Sequence, residues 1–243
     1  KIFKIMEKQI VKIYSETGKV PEYKTSGASG FDLFSTFTNN SCQILTINDI
    51  EEIDAFYVTG NRKDAAEFIT EIIPSLEKNA ALLIMNPQSY IISIKLAIED
   101  KLEEINKNIE KNGGKTYGVL SDYMSDNDIE AVNIILPFSH NIIPTGCYVQ
   151  IPEGYEIQVR PRSGIGAKTN MIAHLGTIDN DYRGNIGIII NNPSPNSYII
   201  LPNERLAQGV FAKVEQCEFK KVKSIEELTK TDRGEGGFGS TGK

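Results

Sequence analysis

Apolar and polar residues alternate over short stretches near both ends of the chain, and this period-two pattern predicts β-strands. Two such stretches lie near the N terminus, in "KQIVKIYS" and "FDLFS". From about residue 130 onward the strand candidates are "VNIILP", "IIPTGCYVQIP", "YEIQVRPR", "GNIGIII", "NSYIILP" and "LAQGVFAKVE". Pro, Gly, Asn and Ser separate these candidates, and a helical pattern follows only in "SIEELTK". Short strands at this spacing are typical of an antiparallel sandwich or barrel.

The pattern becomes helical between residues 39 and 130. Apolar residues at helical spacing from Ala65 to Leu76 predict one helix, which Pro74 kinks or ends. A second apolar stripe from Ile91 to Ile109 predicts another helix, and "NGG" at 112–114 is a typical C-terminal signal. The stretches "AALLIM" and "KTYGVL" are strand candidates. This α/β pattern predicts an inserted subdomain with a small core of its own.

Composition limits the classes of partner. With 243 residues, a net charge of −6 and a pI near 5.2, the chain is a poor candidate for nonspecific duplex binding, which relies on Lys and Arg. The cysteines, Cys42, Cys147 and Cys217, are widely spaced and form no CxxC, which favours free thiols in a reducing compartment. The apolar runs are too short to span a bilayer, and no signal-peptide pattern is visible. We therefore expect a cytoplasmic protein without nucleic-acid or membrane partners.

The segment "LGTIDNDYRGNIG" at 175–187 crowds charged and aromatic residues where the pattern predicts the tip of a β-hairpin. Two of them are the carboxylates Asp179 and Asp181. A solvated turn is the usual structure of an Asn-Asp cluster. The alternative is a site in which the turn directs one carboxylate at a ligand.

Two further segments have the residue types that bind phosphate. In "VRPRSGIGAK", Arg160 and Arg162 lie at a strand end and precede Ser163 and Gly164. A fixed arginine, a hydroxyl and a glycine N–H suit a phosphate chain, although an ordinary β-turn has the same composition. The glycine-rich tail "TDRGEGGFGSTGK" fits either a disordered terminus or an arm whose backbone N–H groups close over phosphate.

Five segments occur in one order along the chain, and together they resemble the five motifs of the homotrimeric dUTPase family. They are "ASGFDL" (28–33), "PRSG" (161–164), "GTIDNDYRG" (176–184), "ERLAQ" (204–208) and "RGEGGFGSTG" (233–242). The resemblance implies a mainly β, jelly-roll β-barrel with an inserted α/β subdomain. Its parts are a discontinuous barrel (1–38 and 131–230), the insertion (39–130), which the resemblance does not cover, and a flexible closing arm (231–243).

The resemblance implies hydrolysis of dUTP to dUMP and pyrophosphate in a trimer with active sites at subunit junctions. Asp179 becomes the general base that activates water for attack on the α-phosphorus, whereas Asp181 remains a turn residue. Arg162 holds phosphate oxygens. The substrate phosphates hold Mg²⁺, with no direct protein ligand, and Asp32 contacts it through water while bracing Arg205. A positioned carboxylate base typically contributes about 10²–10⁴-fold to the rate.

The implied substrate-binding residues fall into groups by what they contact. Tyr182 packs against the deoxyribose where a 2′-hydroxyl would collide. Main-chain groups of 173–178 pair with uracil, and a backbone built for uracil leaves buried groups unpaired with cytosine. The residues of this segment are His174, Gly176, Thr177 and Ile178. Those at the phosphates, beside Arg162, are Ser163, Gly164 and Gln208. Arg205, braced by Asp32, is a further substrate-binding residue. Those of the closing arm are Arg233, Phe238, Gly239, Ser240 and Thr241, with Phe238 stacked on uracil and the rest around the γ-phosphate.

The chain departs from the family pattern in the insertion and at His174, where a small or amide residue is expected. A sister family on the same fold, dCTP deaminase, needs a glutamate at the position of Ile189, and "IGIIINN" contains no acid, so deamination is rejected. The alternative function is a nucleotide-sensing or partner-binding module that contacts a protein through residues 39–130. We expect the insertion to lie outside the trimer and to be dispensable for chemistry.

Overall fold

The computed structural model describes residues 8–36, 44–59 and 87–236. The strands are β1 (Lys12–Ser15), β2 (Phe31–Phe34), β3 (Ile44–Thr46), β4 (Ala131–Ile135), β5 (Ser139–Pro144), β6 (Cys147–Gln150), β7 (Tyr155–Pro161), β8 (Ile172–Ala173), β9 (Gly176–Ile178), β10 (Gly187–Asn192), β11 (Tyr198–Ile200) and β12 (Arg205–Lys213). The helices are α1 (Ile47–Thr59), α2 (Pro87–Lys111), α3 (Leu120–Asp126) and the short α4 (Ser163–Lys168). None of the described helices is long and apolar enough to cross a membrane.

The described strands form antiparallel sheets in the orders β2-β12-β7-β9, β5-β10-β8, β11-β4-β3 and β1-β6. Buried side chains from these sheets meet in one apolar core, which we call the barrel core. It contains Leu33, Ile143, Val159, Ile188, Leu206 and twelve further buried residues. Alternating burial along β7 and β10 places every second side chain in this core. The mainly β class predicted from the period-two pattern is confirmed.

The predicted hairpin around residues 175–187 is wrong in its pairing. At its base, β8 pairs with β10, and the His174 N–H donates to the Ile189 carbonyl at 2.9 Å. The next strand, β9, pairs with β7 in a different sheet. The chain therefore changes sheets between Ala173 and Gly176, so the turn that follows connects two sheets and does not cap a ladder of its own.

The inserted segment shares its core with strands of the barrel. In β4, Val132 and Ile134 face α1, α2 and α3, whereas Ile135 faces the barrel core. On β11, Ile199 likewise faces the helices, whereas Ile200 faces the barrel core. We call the first side the insertion core; its members beyond β4 and β11 include Leu45, Ile53, Ile94, Ile98 and Met124. Strand β3 also pairs with β4. The expected separate core is thus a joint one.

The helical stripe from Ile91 to Ile109 is confirmed by α2, which ends where the "NGG" signal predicts. Gly113 has a φ of +73°, and the Gly114 N–H donates to the Ile109 carbonyl at 3.1 Å. The strand predicted for "KTYGVL" is wrong, because the Asn106 amide satisfies both backbone groups of Tyr117 at 2.9 Å in place of a neighbouring strand. The stripe from Ala65 to Leu76 and the stretch "AALLIM" lie outside the described residues.

The C-terminal residues from Val214 form a second unit. The helix predicted for "SIEELTK" is only a three-residue 3-10 turn, Ile225–Glu227. Its Glu227 carboxylate accepts the Lys223 N–H at 2.9 Å. A second turn follows, in which the Gly234 N–H donates to the Thr231 carbonyl at 3.0 Å. This unit has no buried apolar residue among those described, as the polar composition of the tail predicts.

Candidate functional site

Two arginines converge on one buried carboxylate at an end of the β2-β12-β7 sheet. Asp32 on β2 is 8% exposed. Its Oδ1 lies 3.0 Å from Nε of Arg162, and its Oδ2 lies 3.5 Å from Nη1 of Arg205. We call these three residues the Asp32 cluster. A buried carboxylate needs a cationic partner, and two guanidinium groups supply it here.

Backbone contacts fix the orientation of this cluster. Nη1 of Arg162 donates to the Arg205 carbonyl at 3.0 Å, and Nε2 of Gln208 donates to the Pro161 carbonyl at 3.0 Å. The strand register opposes Gln208 to Asp32 on one side, and an irregularity between Arg205 and Ala207 shifts the ladder there. The predicted residues Asp32, Arg162, Arg205 and Gln208 therefore come together in one chain.

Glycine at position 30 contributes a close approach that the sequence argument did not single out. A Cβ on Gly30 would lie 2.7 Å from Oε1 of Gln208 and 3.3 Å from the Gly209 carbonyl. Any larger residue at this position would push the Gln208 side chain aside. The clue in the sequence is the position of Gly30 directly before "FDL".

Ser163 and Gly164 begin α4, immediately after Arg162, and both are exposed. The space beside Gly164 is open, since a Cβ there would meet no described atom within 4 Å. The arginine, the hydroxyl and the glycine backbone thus follow one another at an open surface. This arrangement suits a ligand with several phosphate oxygens.

Asp179 directly follows β9 and is exposed. Its carbonyl accepts the Tyr182 N–H at 3.2 Å, which closes the turn. The Tyr182 hydroxyl donates to the Asn185 carbonyl at 2.8 Å, and Oδ1 of Asn185 accepts the N–H groups of Thr145 and Gly146 at 3.2 and 3.1 Å. Asn185, which sequence reasoning missed, therefore anchors the turn that carries Asp179.

The structure does not bring Asp179 and Tyr182 to the Asp32 cluster of the same chain. The register pairs Ile157 with Ile178, so Asp179 follows at the Tyr155 end of β7, whereas Arg162 follows the opposite end. Six residues of β-strand between these ends span about 20 Å. The candidate site residues of one chain therefore form two separate groups.

Exposed apolar side chains cover the outer face of the β5-β10-β8 sheet. Ile142 and Ile189 are paired across β5 and β10, and Ile172 lies on β8. These three side chains are 50%, 40% and 50% exposed, and the adjoining Leu175 is 76% exposed. We call them the isoleucine face. A contiguous apolar surface of this kind is typical of a protein interface.

The insertion contacts the loop that precedes Arg205. Nζ of Lys101 on α2 lies 2.9 Å from Oε1 of Glu204, and the Lys101 side chain is only 12% exposed. Burial by itself would lower the pKa of Lys101, but the carboxylates of Glu204 and Glu104 outweigh burial and raise it above 10.5. The lysine is therefore a charged partner of Glu204 throughout the neutral range.

Asp32 fits an indirect contact to a metal ion. Its Oδ2 is buried and accepts no hydrogen bond, because the 3.5 Å separation from Arg205 is an ion-pair distance. A carboxylate oxygen with unused acceptor capacity can accept a hydrogen bond from metal-bound water. Across residues 8–36, 44–59 and 87–236, no three His, Cys, Asp or Glu side chains come close enough to form a direct metal site.

The structure gives His174 and the closing arm fewer contacts among the described residues. The His174 side chain is exposed, and the backbone N–H of His174 donates to the Ile189 carbonyl. In the C-terminal unit, Nε of Arg233 donates to the Gly236 carbonyl at 2.7 Å. Phe238, Gly239, Ser240 and Thr241 lie outside the described residues, so their roles stay predictions.

Known proteins resemble the chain in both sequence and fold. A family model described as dUTPase matches residues 128–242. The deoxyuridine 5′-triphosphate nucleotidohydrolase of Fusobacterium nucleatum is 55% identical over 104 residues, which cover 42% of this chain and 69% of that protein. The enzyme of the same name from Finegoldia magna is 46% identical over 120 residues, which cover 49% and 79%.

Among solved structures, the dUTPase of Staphylococcus bacteriophage 80alpha with dUPNHPP has a TM-score of 0.53 at 20% identity. That likeness covers 97% of this chain and 99% of the phage chain, and at this identity it concerns the fold alone. The sequence relatives are closer, since 75% of a Chlamydia trachomatis deoxyuridine 5′-triphosphate nucleotidohydrolase aligns at 52% identity. With about half of the aligned residues identical over more than two thirds of each relative, the chain belongs to the dUTPase family.

Proposed function

We propose that the protein hydrolyses dUTP to dUMP and pyrophosphate, by attack of water on the α-phosphorus. The observation that carries the proposal is the Asp32 cluster, in which a buried carboxylate orients Arg162 beside an open serine and glycine. The named relatives are dUTP nucleotidohydrolases. Phosphoryl transfer depends on positioning and charge neutralisation, which a braced arginine supplies.

The phosphates would bind at the start of α4. Arg162 contributes a fixed positive charge, and the Ser163 hydroxyl and Gly164 N–H donate hydrogen bonds beside it. Gln208 is held against the Pro161 carbonyl, so its amide reaches the same surface. Because Arg162 is already bonded to Asp32 and to the Arg205 carbonyl, binding costs little side-chain ordering.

The uracil of the substrate would pair with the backbone of β9. In the sheet order β2-β12-β7-β9, this strand lies at an edge and pairs with β7 alone among the described strands. An edge strand presents outward N–H and C=O groups. Gly176, Thr177 and Ile178 offer these groups to the uracil edge, and His174, whose N–H is bonded to Ile189, would contribute only its carbonyl. Tyr182 then packs against the deoxyribose, in a ring position fixed by its bond to Asn185.

Asp179 would act as the general base. Its carboxylate is exposed at the end of β9, two residues beyond Thr177, which is proposed to contact the uracil. Tyr182 closes the turn through the Asp179 main chain, which leaves the carboxylate oxygens available for water. The carboxylate accepts the proton that water loses on attacking the α-phosphorus, and the released pyrophosphate carries the negative charge.

A complete site requires a second copy of the chain. Asp179 and Arg162 of one chain follow opposite ends of β7, about 20 Å apart by strand length, which favours a site that takes them from two different chains. The isoleucine face provides an apolar surface for self-association. A homotrimer with sites at its subunit junctions satisfies both observations.

Mg²⁺ is the proposed cofactor. It would be held by the substrate phosphates, with Asp32 accepting a hydrogen bond from metal-bound water at its unused Oδ2. The ion supplies charge neutralisation at the phosphate oxygens. The C-terminal arm, with Arg233 and the segment 238–241, would then close over the bound nucleotide.

The division into barrel (1–38 and 131–230), insertion (39–130) and arm (231–243) stays part of this proposal. So does a protein partner that binds the insertion. The nonenzymatic alternative, a nucleotide-sensing module, predicts binding of dUTP without turnover. Pyrophosphate release measured with dUTP and with dCTP separates the two, because catalysis is expected with dUTP alone.

Mixing two inactive variants tests the shared site. Asp179→Asn removes the general base and Arg162→Ala removes the phosphate contact, so each homotrimer is expected to keep only a small residual turnover. After unfolding and refolding together in equal amounts, every mixed trimer contains one junction with both residues intact. Random assembly then restores about a quarter of wild-type activity. Activity that stays at the level of the separate variants would contradict a site built from two chains.

A further inference from the structure

Helix α2 of the insertion makes polar contacts with both ends of β11. The Ser93 hydroxyl lies 2.8 Å from the Ser197 hydroxyl and accepts the Ser197 N–H at 2.9 Å, just before the strand. Lys101 contacts Glu204 beyond the other end. Eight residues separate Ser93 from Lys101, which is about 12 Å along one face of the helix. The helix therefore holds β11 at two points.

Glu204 is fixed by more than this ion pair. Its Oε1 also accepts the Leu201 N–H at 2.9 Å. Its backbone N–H donates to the Ser35 hydroxyl at 2.9 Å, and its carbonyl accepts the Ser35 N–H at 2.8 Å. Ser35 directly follows β2, the strand that carries Asp32. Glu204 thus joins the insertion to the strand end beneath the Asp32 cluster.

The next residue along the chain is Arg205, which contacts the other two members of that cluster, one through its side chain and one through its main chain. Its guanidinium faces Asp32, and its carbonyl accepts the hydrogen bond from Arg162. Adjacent Cα atoms are joined at a fixed 3.8 Å, so a shift of the Glu204 main chain is transmitted to the Arg205 main chain and its carbonyl. Arg162 would then lose the backbone acceptor that orients it.

We propose that Lys101 is a positioning residue for the hydrolysis, which acts through Glu204 on Arg205 and, by way of the Arg205 carbonyl, on Arg162. This inference rests on the proposed function. It assigns the insertion a role in catalysis even though none of the family motifs lies within it. Without Lys101, the Glu204 carboxylate, 31% exposed at its side chain, turns to solvent and releases the Leu201 N–H.

The test compares two variants of α2 that each remove one of the two contacts with β11. Lys101→Met removes the ion pair, and Ser93→Ala removes the other contact, far from Arg205. Both are expected to lower the melting temperature, but only Lys101→Met is expected to lower kcat/KM for dUTP, by about tenfold. Lys101→Arg restores the charge and is expected to recover most of the loss. Equal kcat/KM for Lys101→Met and wild type would overturn the proposal.

Two further variants separate positioning from general destabilisation. Glu204→Gln removes the charge while it keeps an acceptor for Leu201, so it should lower kcat/KM like Lys101→Met and add little to it in the double variant. Arg205→Ala removes the guanidinium but keeps the carbonyl that accepts the Arg162 bond, so in that background Lys101→Met is still expected to lower kcat/KM. No further loss in that background would refute the route through the Arg205 carbonyl.

Hydrogen exchange distinguishes failure of this inference from failure of the proposed function. Faster exchange of the Leu201 amide is expected in Lys101→Met and not in Ser93→Ala, whatever the substrate. A wild-type protein that releases no pyrophosphate from dUTP would refute the proposed function, whereas the exchange result would still support the Lys101–Glu204–Leu201 link. Unchanged exchange in Lys101→Met would refute that link even if dUTP is hydrolysed.

Discussion

Replacing residues 39–130 by a short Gly-Ser turn should prevent the remaining chain from folding stably. The replacement removes the helices that cover one face of β4 and β11. Five apolar side chains that are at most 8% exposed would then face water: Val132, Ile134, Leu136, Ile199 and Leu201. At about 1.5–3 kcal/mol for each buried aliphatic side chain, the loss is about 8–15 kcal/mol. This equals the total stability of a typical domain.

The loss of β3 adds to this effect, because β4 would become an unprotected edge strand beside an apolar face. Size-exclusion chromatography, circular dichroism and binding of an apolar dye measure the outcome, which we expect to be aggregation or a partly folded state. As a control, the same replacement with Val132→Thr, Ile134→Thr and Ile199→Thr should recover solubility. A soluble shortened chain with a wild-type melting temperature and dUTP turnover would refute the reasoning and support a dispensable insertion.

Three other outcomes are expected. Asp179→Asn should bind dUTP and keep its melting temperature, since Asp179 is exposed, while turnover falls by about 10²–10⁴-fold; near-normal turnover would exclude it as the base. Deletion of 231–243 should lower turnover and leave the melting temperature almost unchanged, because the described part of this segment buries no apolar side chain; the reverse result would indicate a structural role. The raised pKa of Lys101 gives stability that is complete below pH 10.5 and lost as the pH rises above it, so the difference in unfolding free energy between wild type and Lys101→Met should be constant from pH 7 to pH 10, and a decline within that range would contradict the ion pair.

Local sequence patterns correctly predicted several strands and the C-terminal end of helix α2. The period-two stretches correspond to β4, β7, β10 and β12, and the glycines after α2 end the helix where the left-handed conformation at Gly113 requires one. Helix α4 was missed because six residues are too few to show a helical period. The strand expected at "KTYGVL" failed because a side chain eleven positions away, Asn106, takes the hydrogen bonds of Tyr117.

Part of the candidate site could be predicted from the sequence, and part depends on tertiary packing. The resemblance of the motif segments to the dUTPase family grouped Asp32 with Arg162 and Arg205, and the structure brings these three together. No local pattern relates Lys101 to Glu204, which lie 103 positions apart, so their contact depends on how α2 lies across β11. The sheet change at His174 was equally hidden, because both β8 and β9 have strand-like composition and only tertiary packing decides their partners.

The edge position of β9 has a consequence for how base choice could evolve or be engineered. The groups proposed to pair with uracil belong to the main chain, so replacing the side chain of Thr177 leaves the donors and acceptors in place. A change of base preference would instead require a shift of the backbone itself, for example by one residue in the pairing of β9 with β7. Such a shift also moves Ile178 out of the barrel core. The same strand register therefore determines both base selectivity and the packing of Ile178. For this reason a single side-chain substitution in β9 is not expected to change the base that is bound.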